Sequence, residues 1–281
     1  MAEEPIDLGS IKDRYFIPEI DQKPYDIWNE VLQPGSHVTP AEAAKRINEL
    51  FPVRKPEDTD KSYAEKAEHF LEYFWALLIQ VVQLLPHEHQ AQKKVVLILE
   101  ELSRLPPITI TRLQLPEKRV WTDLPFLGVC MRDDWASPTW KGSLPDKDSA
   151  QQWINQNSFA ARLLNTGLAR WPNFAVWEVR AVLEEPAMHR TAMNCNVATA
   201  AEWILHGGEA VFSYMSKDMD EDEARWVAAG SLFPGKSGSL RERWKFWKIR
   251  FSEVSQQVDE DVREQAIRAV EKMEKLEQGG T

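Results

Sequence analysis

Residues 62–85 read SYAEKAEHFLEYFWALLIQVVQLL, and their periodicity decides the fold class. Ala67, Phe70, Leu71, Phe74, Leu78, Val81, Val82 and Leu85 recur at spacings of three and four, which places them on one face of a helix. Pro86 stops that helix. A second helix over 88–105 carries Val95, Ile98, Leu99 and Leu102 on one face, and the short connection implies an antiparallel pair.

The pattern continues in both directions. On the amino-terminal side, Thr39-Pro40-Ala41-Glu42 is a capping box with proline at the first helical position, so a helix is expected from there to Phe51. A short helix over 25–32 precedes it, and residues 1–21, which have no sustained period, are expected to form an extended arm. On the carboxyl-terminal side, Ile108 to Leu115 (ITITRLQL) alternates like a strand, but alone it makes only a linker or a minor hairpin. Residues 121–145 are expected to mix short helical turns with loops, the segment where a site would be presented.

Helices then return over 149–166, 173–185 and 190–205, the last stopped by Gly207-Gly208, with shorter ones over 209–215 and 221–229. Two long closing helices span 239–277. In the first, Leu240, Trp244, Trp247, Phe251, Val254 and Val258 form a heptad seam that must face other helices. The expectation is an all-α fold, an irregular multi-helix assembly making one domain over 1–281.

The totals narrow the function. Hydrophobic residues make up 43% of the 281 and charged ones 28%, the balance of a folded chain. A net charge of −10 argues against whole-surface attraction to nucleic acid or anionic membrane. The longest apolar stretch, over 70–85, is broken by Glu72 and Gln80 and is too short and polar to span a bilayer. Cys130 and Cys195 stand far apart and outside any C-x-x-C spacing, which fits free thiols in a reducing compartment, with one disulfide left open. The start, MAEEPIDLGS, is neither a secretory signal nor a transit peptide, so a cytoplasmic location is expected.

Several motifs touch on chemistry. Asp133-Asp134 lacks the further carboxylate one turn on that shared hard cations require, and it reads as a solvated turn. Asp218, Asp220 and Asp222 begin like a calcium loop, but Glu223 and Ala229 stand where glycine and a bidentate glutamate are needed; an acidic first turn of a helix fits better. His87-Glu88-His89 points two imidazoles in opposite directions, and a metal there would need a ligand such as His69. No nucleophile elbow, dinucleotide fingerprint or phosphate loop occurs. Catalytic residues are therefore unassigned, and no metal or cofactor site is expected.

The sharpest stretch is RERWKFWKIRF (241–251), with five basic residues, one acid and four aromatics. It could grip an anion while its indoles stack. The simpler reading puts Trp244, Trp247 and Phe251 in the core and leaves Arg241, Lys245 and Lys248 on a solvated face. The twelve tryptophans follow the same logic. Trp177, Trp244 and Trp247 lie on faces that must be buried, whereas Trp121, Trp135 and Trp140 lie outside the strong periods and could line a pocket.

Phe-Leu-Glu-Tyr-Phe-Trp (70–75), Trp-Thr-Asp-Leu-Pro (121–125), Trp-Ile-Asn-Gln-Asn-Ser-Phe-Ala-Ala-Arg-Leu (153–163), Ala-Ala-Glu-Trp-Ile (200–204) and Arg-Trp-Lys-Phe-Trp (243–247) occur here in that order. In this the chain resembles a fungal family of unknown function named after protein G of the oxopyrrolidine biosynthesis cluster. The resemblance implies a mainly helical fungal protein, some of whose relatives are encoded beside secondary-metabolite genes, including a cluster making tetramic-acid compounds from a polyketide and an amino acid. It supplies no catalytic residue. Three function classes follow: an accessory, non-catalytic protein of that metabolism, dispensable for the product; a cyclase- or isomerase-type enzyme with a tryptophan-walled pocket; or an interaction module using the 241–250 face.

Overall fold

The computed structural model describes residues 4–14, 19–111, 116–217, 219 and 221–279. It is helical apart from one minimal hairpin, and the chain divides into two units, Met1–Ala136 and Ser137–Thr281. The all-α expectation holds.

In the first unit, α1 (Gly9–Arg14), α2 (Glu19–Val31), α3 (Pro40–Leu50), α4 (Asp60–Leu84) and α5 (Gln90–Arg104) precede the hairpin. The stretch expected as an extended arm is helical over α1. Asp7 Oδ1 accepts from Gly9 N at 2.8 Å, and Leu8 and Ile11 are buried, so apolar burial fixes a segment too short to show a period. The capping box at α3 forms: Thr39 Oγ1 accepts from Glu42 N at 3.2 Å and Glu42 Oε2 accepts from Thr39 N at 2.9 Å. Thr59 caps α4 with a single bond, its Oγ1 accepting from Ser62 N at 3.1 Å.

α4 and α5 do not form the long packed pair that their short connection suggests. α5 lies chiefly against α3, and α4 against α2 and the later helix over Leu127–Asp133. The corner between them is held by Gln92, fully buried, whose Nε2 donates to Leu85 O at 2.9 Å. Of the strand-like run, β1 (Thr109–Ile110) pairs antiparallel with β2 (Lys118–Arg119), Thr109 opposite Arg119, while residues 112–115 lie outside the described residues. α6 (Val120–Asp123) and α7 (Leu127–Asp133) complete the unit. Between them, Leu124 and Phe126 take left-handed backbone (φ 44° and 69°), a conformation that costs about 1–3 kcal/mol per non-glycine residue. Trp75 Nε1 donates to Pro125 O at 2.8 Å and pins that strained turn.

The second unit opens with a short 3₁₀ turn at Trp140–Gly142, followed by α8 (Lys147–Asn165), α9 (Pro172–Leu183), α10 (Arg190–Met215), α11 (Glu221–Trp226), α12 (Leu240–Val254) and α13 (Glu260–Gly279). α10 is its hub, packing on α8, α9, α12 and α13. The expected break at Gly207-Gly208 is absent, and one helix runs through both residues. The reason is tertiary. A Cβ on Gly207 would lie 3.1 Å from Ala161 O of α8, and one on Gly208 would lie 3.1 Å from Leu276 Cδ1 of α13, so the pair admits close neighbours on two sides.

The heptad seam of α12 is buried along its length, with Leu240, Trp244, Trp247, Phe251, Val254 and Val258 all under 4% exposed. The helix nevertheless stops at Val254, before Val258. Ser255–Gln257 tightens into a 3₁₀ turn, where Ser255 Oγ donates to Ser252 O at 2.8 Å and Arg263 Nε donates to Ser255 O at 3.1 Å.

Candidate functional site

Asp133 and Asp134 are exposed, as a solvated turn requires. Asp133 pairs with Arg132, and Asp134 accepts from Gln83 Nε2 at 2.6 Å. His89 is the N-cap of α5, its Nδ1 accepting from Ala91 N at 3.0 Å. Asp218 and Asp220 lie outside the described residues. Among the described residues, no group of three or more His, Cys, Asp or Glu side chains is placed to hold a metal.

The basic-aromatic stretch contains a group that its pattern did not reveal. Arg243 is fully buried and meets the equally buried Glu184 at the end of α9. Arg243 Nε donates to Glu184 Oε1 at 2.7 Å and Nη2 to Oε2 at 3.0 Å, while Nη1 donates to Val227 O at 2.5 Å. Trp247 Nε1 donates to Oε1 at 2.5 Å and Gly230 N to Oε2 at 2.7 Å. Each carboxylate oxygen thus accepts two bonds, filling its acceptor capacity. A sequence signal for this pair does exist: Arg243 falls between Leu240 and Trp247 on the seam, and a charge on an apolar face requires a partner.

Three further cations of the stretch are also engaged, and Lys245 is exposed. Arg241 donates through Nε and Nη2 to Ser216 O at 3.0 and 2.9 Å, closing the C-terminal end of α10, and Lys248 Nζ reaches Glu277 at 2.5 Å. Arg250 Nε donates to Leu183 O at 3.1 Å. This chemistry holds α12 to its neighbours.

The tryptophans divide as the helix faces require, with two differences. Trp121 is core: its ring packs at 5.8–6.1 Å from Phe51, Phe74 and Trp75, and its N–H donates to Asn48 Oδ1 at 2.7 Å. Trp135 is half-buried and Trp140 is 70% exposed. Trp177, expected in the core, is only half-buried; its N–H donates to Trp226 O at 3.0 Å, and the Trp226 ring itself is exposed.

Both thiols are free. Burial raises Cys130, with Glu72 and Asp133 adding to the shift, and burial pushes Cys195 up to about 12. Neither carries the lowered value of a nucleophilic cysteine.

One interior region is rich in polar groups. α8 and α10 run parallel, with Asn157 beside Trp203, Ala161 beside Gly207, Arg162 beside His206 and Asn165 beside Ala210. Asn155, Gln156, Asn157 and Ser158 on α8, and Asn196, Thr199 and Glu202 on α10, are all buried. Trp203 Nε1 donates to Asn157 Oδ1 at 2.8 Å, and Thr139 Oγ1 donates to Asn196 Oδ1 at 2.9 Å. Further along, Arg162 Nη2 lies 2.8 Å and Glu202 Oε2 3.3 Å from His206 Nε2. Burial lowers Arg162, and the nearby Glu202 partly offsets that shift. An acid, an imidazole and a guanidinium inside a helical bundle are the groups from which bundle-core sites are built. This seam is the candidate site.

In the first unit, a half-open cleft of about 790 Å³ lies beside the start of α4. Its cations are paired internally, Arg54 with Asp60 and Lys61 with Glu65, and Arg54 also sits 5.9 Å from the centre of the Tyr63 ring.

Residues 75–251 match the family described as "Protein of unknown function (DUF3632)". The chain belongs to that family. The DUF3632 span runs from Trp75, which pins the strained Pro125 turn, to Phe251 on the buried seam, and it takes in Glu184, Gly230, Arg243, Trp247 and the α8–α10 region. No curated protein and no solved structure matches the chain. No helix among the described residues is long and apolar enough to cross a membrane.

Proposed function

We propose that this DUF3632 protein is an accessory, non-catalytic component of fungal secondary metabolism, of the tetramic-acid, oxopyrrolidine-like kind, working in the cytoplasm and dispensable for the product. The five aromatic motifs support the setting, and four of them lie wholly within the matched span. The observation that carries the non-catalytic part is the Glu184–Arg243–Trp247 cluster, where the chain's most ligand-like stretch serves as internal cross-bracing. We also propose that the chain works as one domain, since the family span runs through the division at Ala136.

The test is deletion of the gene followed by metabolite profiling. Continued synthesis of the pathway product supports the proposal. Loss of the product with accumulation of one defined precursor overturns it in favour of an enzyme.

A small-molecule enzyme is the second reading, and the buried polar groups of α8 and α10 favour it. In that reading Glu202 and His206 supply an acid-base pair and Arg162 a carboxylate or enolate anchor. The interaction-module reading loses support, because Arg241 and Lys248 are already bonded within the chain.

A further inference from the structure

His206 stands one residue before Gly207, at the close approach of α10 to α8. Its Nε2 faces Arg162 Nη2 at 2.8 Å and Glu202 Oε2 at 3.3 Å. A guanidinium only donates, so the first contact is a hydrogen bond only while Nε2 carries a lone pair and the ring proton sits on Nδ1. A carboxylate only accepts, so the second contact is a hydrogen bond only when Nε2 carries a proton. One nitrogen thus faces two partners of opposite charge that it serves in different protonation states. The His206 side chain is 26% exposed, which gives solvent protons access, whereas that of Glu202 is only 3% exposed.

We infer that His206 is a protonation switch in the α8–α10 seam. Neutral, it accepts from Arg162 and ties the two helices together. When Nε2 takes up a proton from solvent, His206 donates to Glu202 on its own helix and repels Arg162, so that one bond between the helices is lost. α13 brings Lys272, which is bonded to Glu209; α9 brings Glu178 to the neighbourhood of Cys195, about three turns away; and α12 lays the Trp244 ring on Phe212. The Asn157–Trp203 bond lies one turn from the switch and reports its state. This inference does not depend on the proposed function.

The test is a pH titration of the whole ¹⁵N-labelled chain from about pH 8 to 5, the window in which imidazole ordinarily changes charge. The Trp203 indole N–H, assigned with Trp203→Phe, is expected to shift together with the His206 ring resonances. In His206→Gln, whose amide offers Arg162 an acceptor and Glu202 a donor at every pH, that shift is expected to vanish. In Arg162→Met, His206 is expected to titrate without moving Trp203. A His206 ring that stays neutral throughout, a Trp203 signal that does not follow it, or a shift that persists in either variant overturns the inference.

Discussion

Arg243 and Glu184 are joined by two parallel hydrogen bonds, 2.7 and 3.0 Å long, with neither side chain exposed to solvent. Glu184 also anchors Gly230 N, and its carbonyl accepts from Leu232 N at 2.8 Å, so this one residue holds the loop before α12 as well as α12 itself. The arrangement tolerates little change, because any partner removed leaves a buried charge short of a bond.

Trp247→Phe tests one bond of that group. It keeps most of the ring's bulk and removes the N–H that reaches Glu184 at 2.5 Å. A hydrogen bond to a buried charge contributes about 1.5–3 kcal/mol, so urea denaturation should show a loss of that size. Trp244→Phe, whose N–H meets the part-exposed Glu277 at 3.1 Å, should lose less. Equal losses would contradict the assignment.

The two glycines of α10 should behave differently when each is changed to alanine. Gly207→Ala places a methyl 3.1 Å from the Ala161 carbonyl, a backbone group that cannot step aside, and should cost about 1–3 kcal/mol. Gly208→Ala has as its nearest neighbours only side-chain atoms of Leu276 and Lys272, which can shift, and mid-helix alanine gains about 1 kcal/mol over glycine. It should be neutral or stabilising. Thermal unfolding of the pair measures the contrast.

Trp121 and Trp140 provide a test of scaffold against surface. Trp121→Ala empties a site among Phe51, Phe74 and Trp75 and should cost about 3–5 kcal/mol. Trp140→Ala removes a ring that is 70% exposed and should change stability by less than about 0.5 kcal/mol. A Trp140 variant that unfolds readily would place that ring in a contact that its exposure does not suggest.

Cys195 gives a pH dependence whose sign follows from its burial. The folded thiol is pushed up to about 12 from an ordinary value of 9.0, so in alkali the unfolded chain loses its proton first. This contribution to stability is intact below pH 9.0 and is lost as the pH rises through about 12. Cys195→Ser should flatten the fall of stability with pH over that range. Under native conditions a thiol reagent should label the half-buried Cys130 well before Cys195.

The helices were legible because their signals are local. The capping box at Thr39, the run of 62–85 and the seam from Leu240 to Val258 are each written within one element, and each appears as read, although α12 ends before the seam does. What was hidden depends on partners distant in sequence. Gly207-Gly208 reads as a stop until Ala161 and Leu276 are brought against it. Arg243 lies on the seam and so calls for a partner, but only the fold places Glu184, 59 positions away, beside it. The polar region between α8 and α10 was obscured for the same reason, since Asn155, Ser158, Thr199 and Glu202 look like ordinary surface polar residues in sequence and are buried in the fold.

The central claim is that the stretch 241–251 braces the fold and does not serve as a ligand surface. A double-mutant cycle on Glu184→Gln and Arg243→Met, read by equilibrium urea denaturation, tests it most directly. Each single change should cost about 3–5 kcal/mol, and the double variant should be destabilised by at least about 1 kcal/mol less than the sum. An Arg243→Met protein with an unaltered midpoint would contradict the account and return that cation to the search for a ligand.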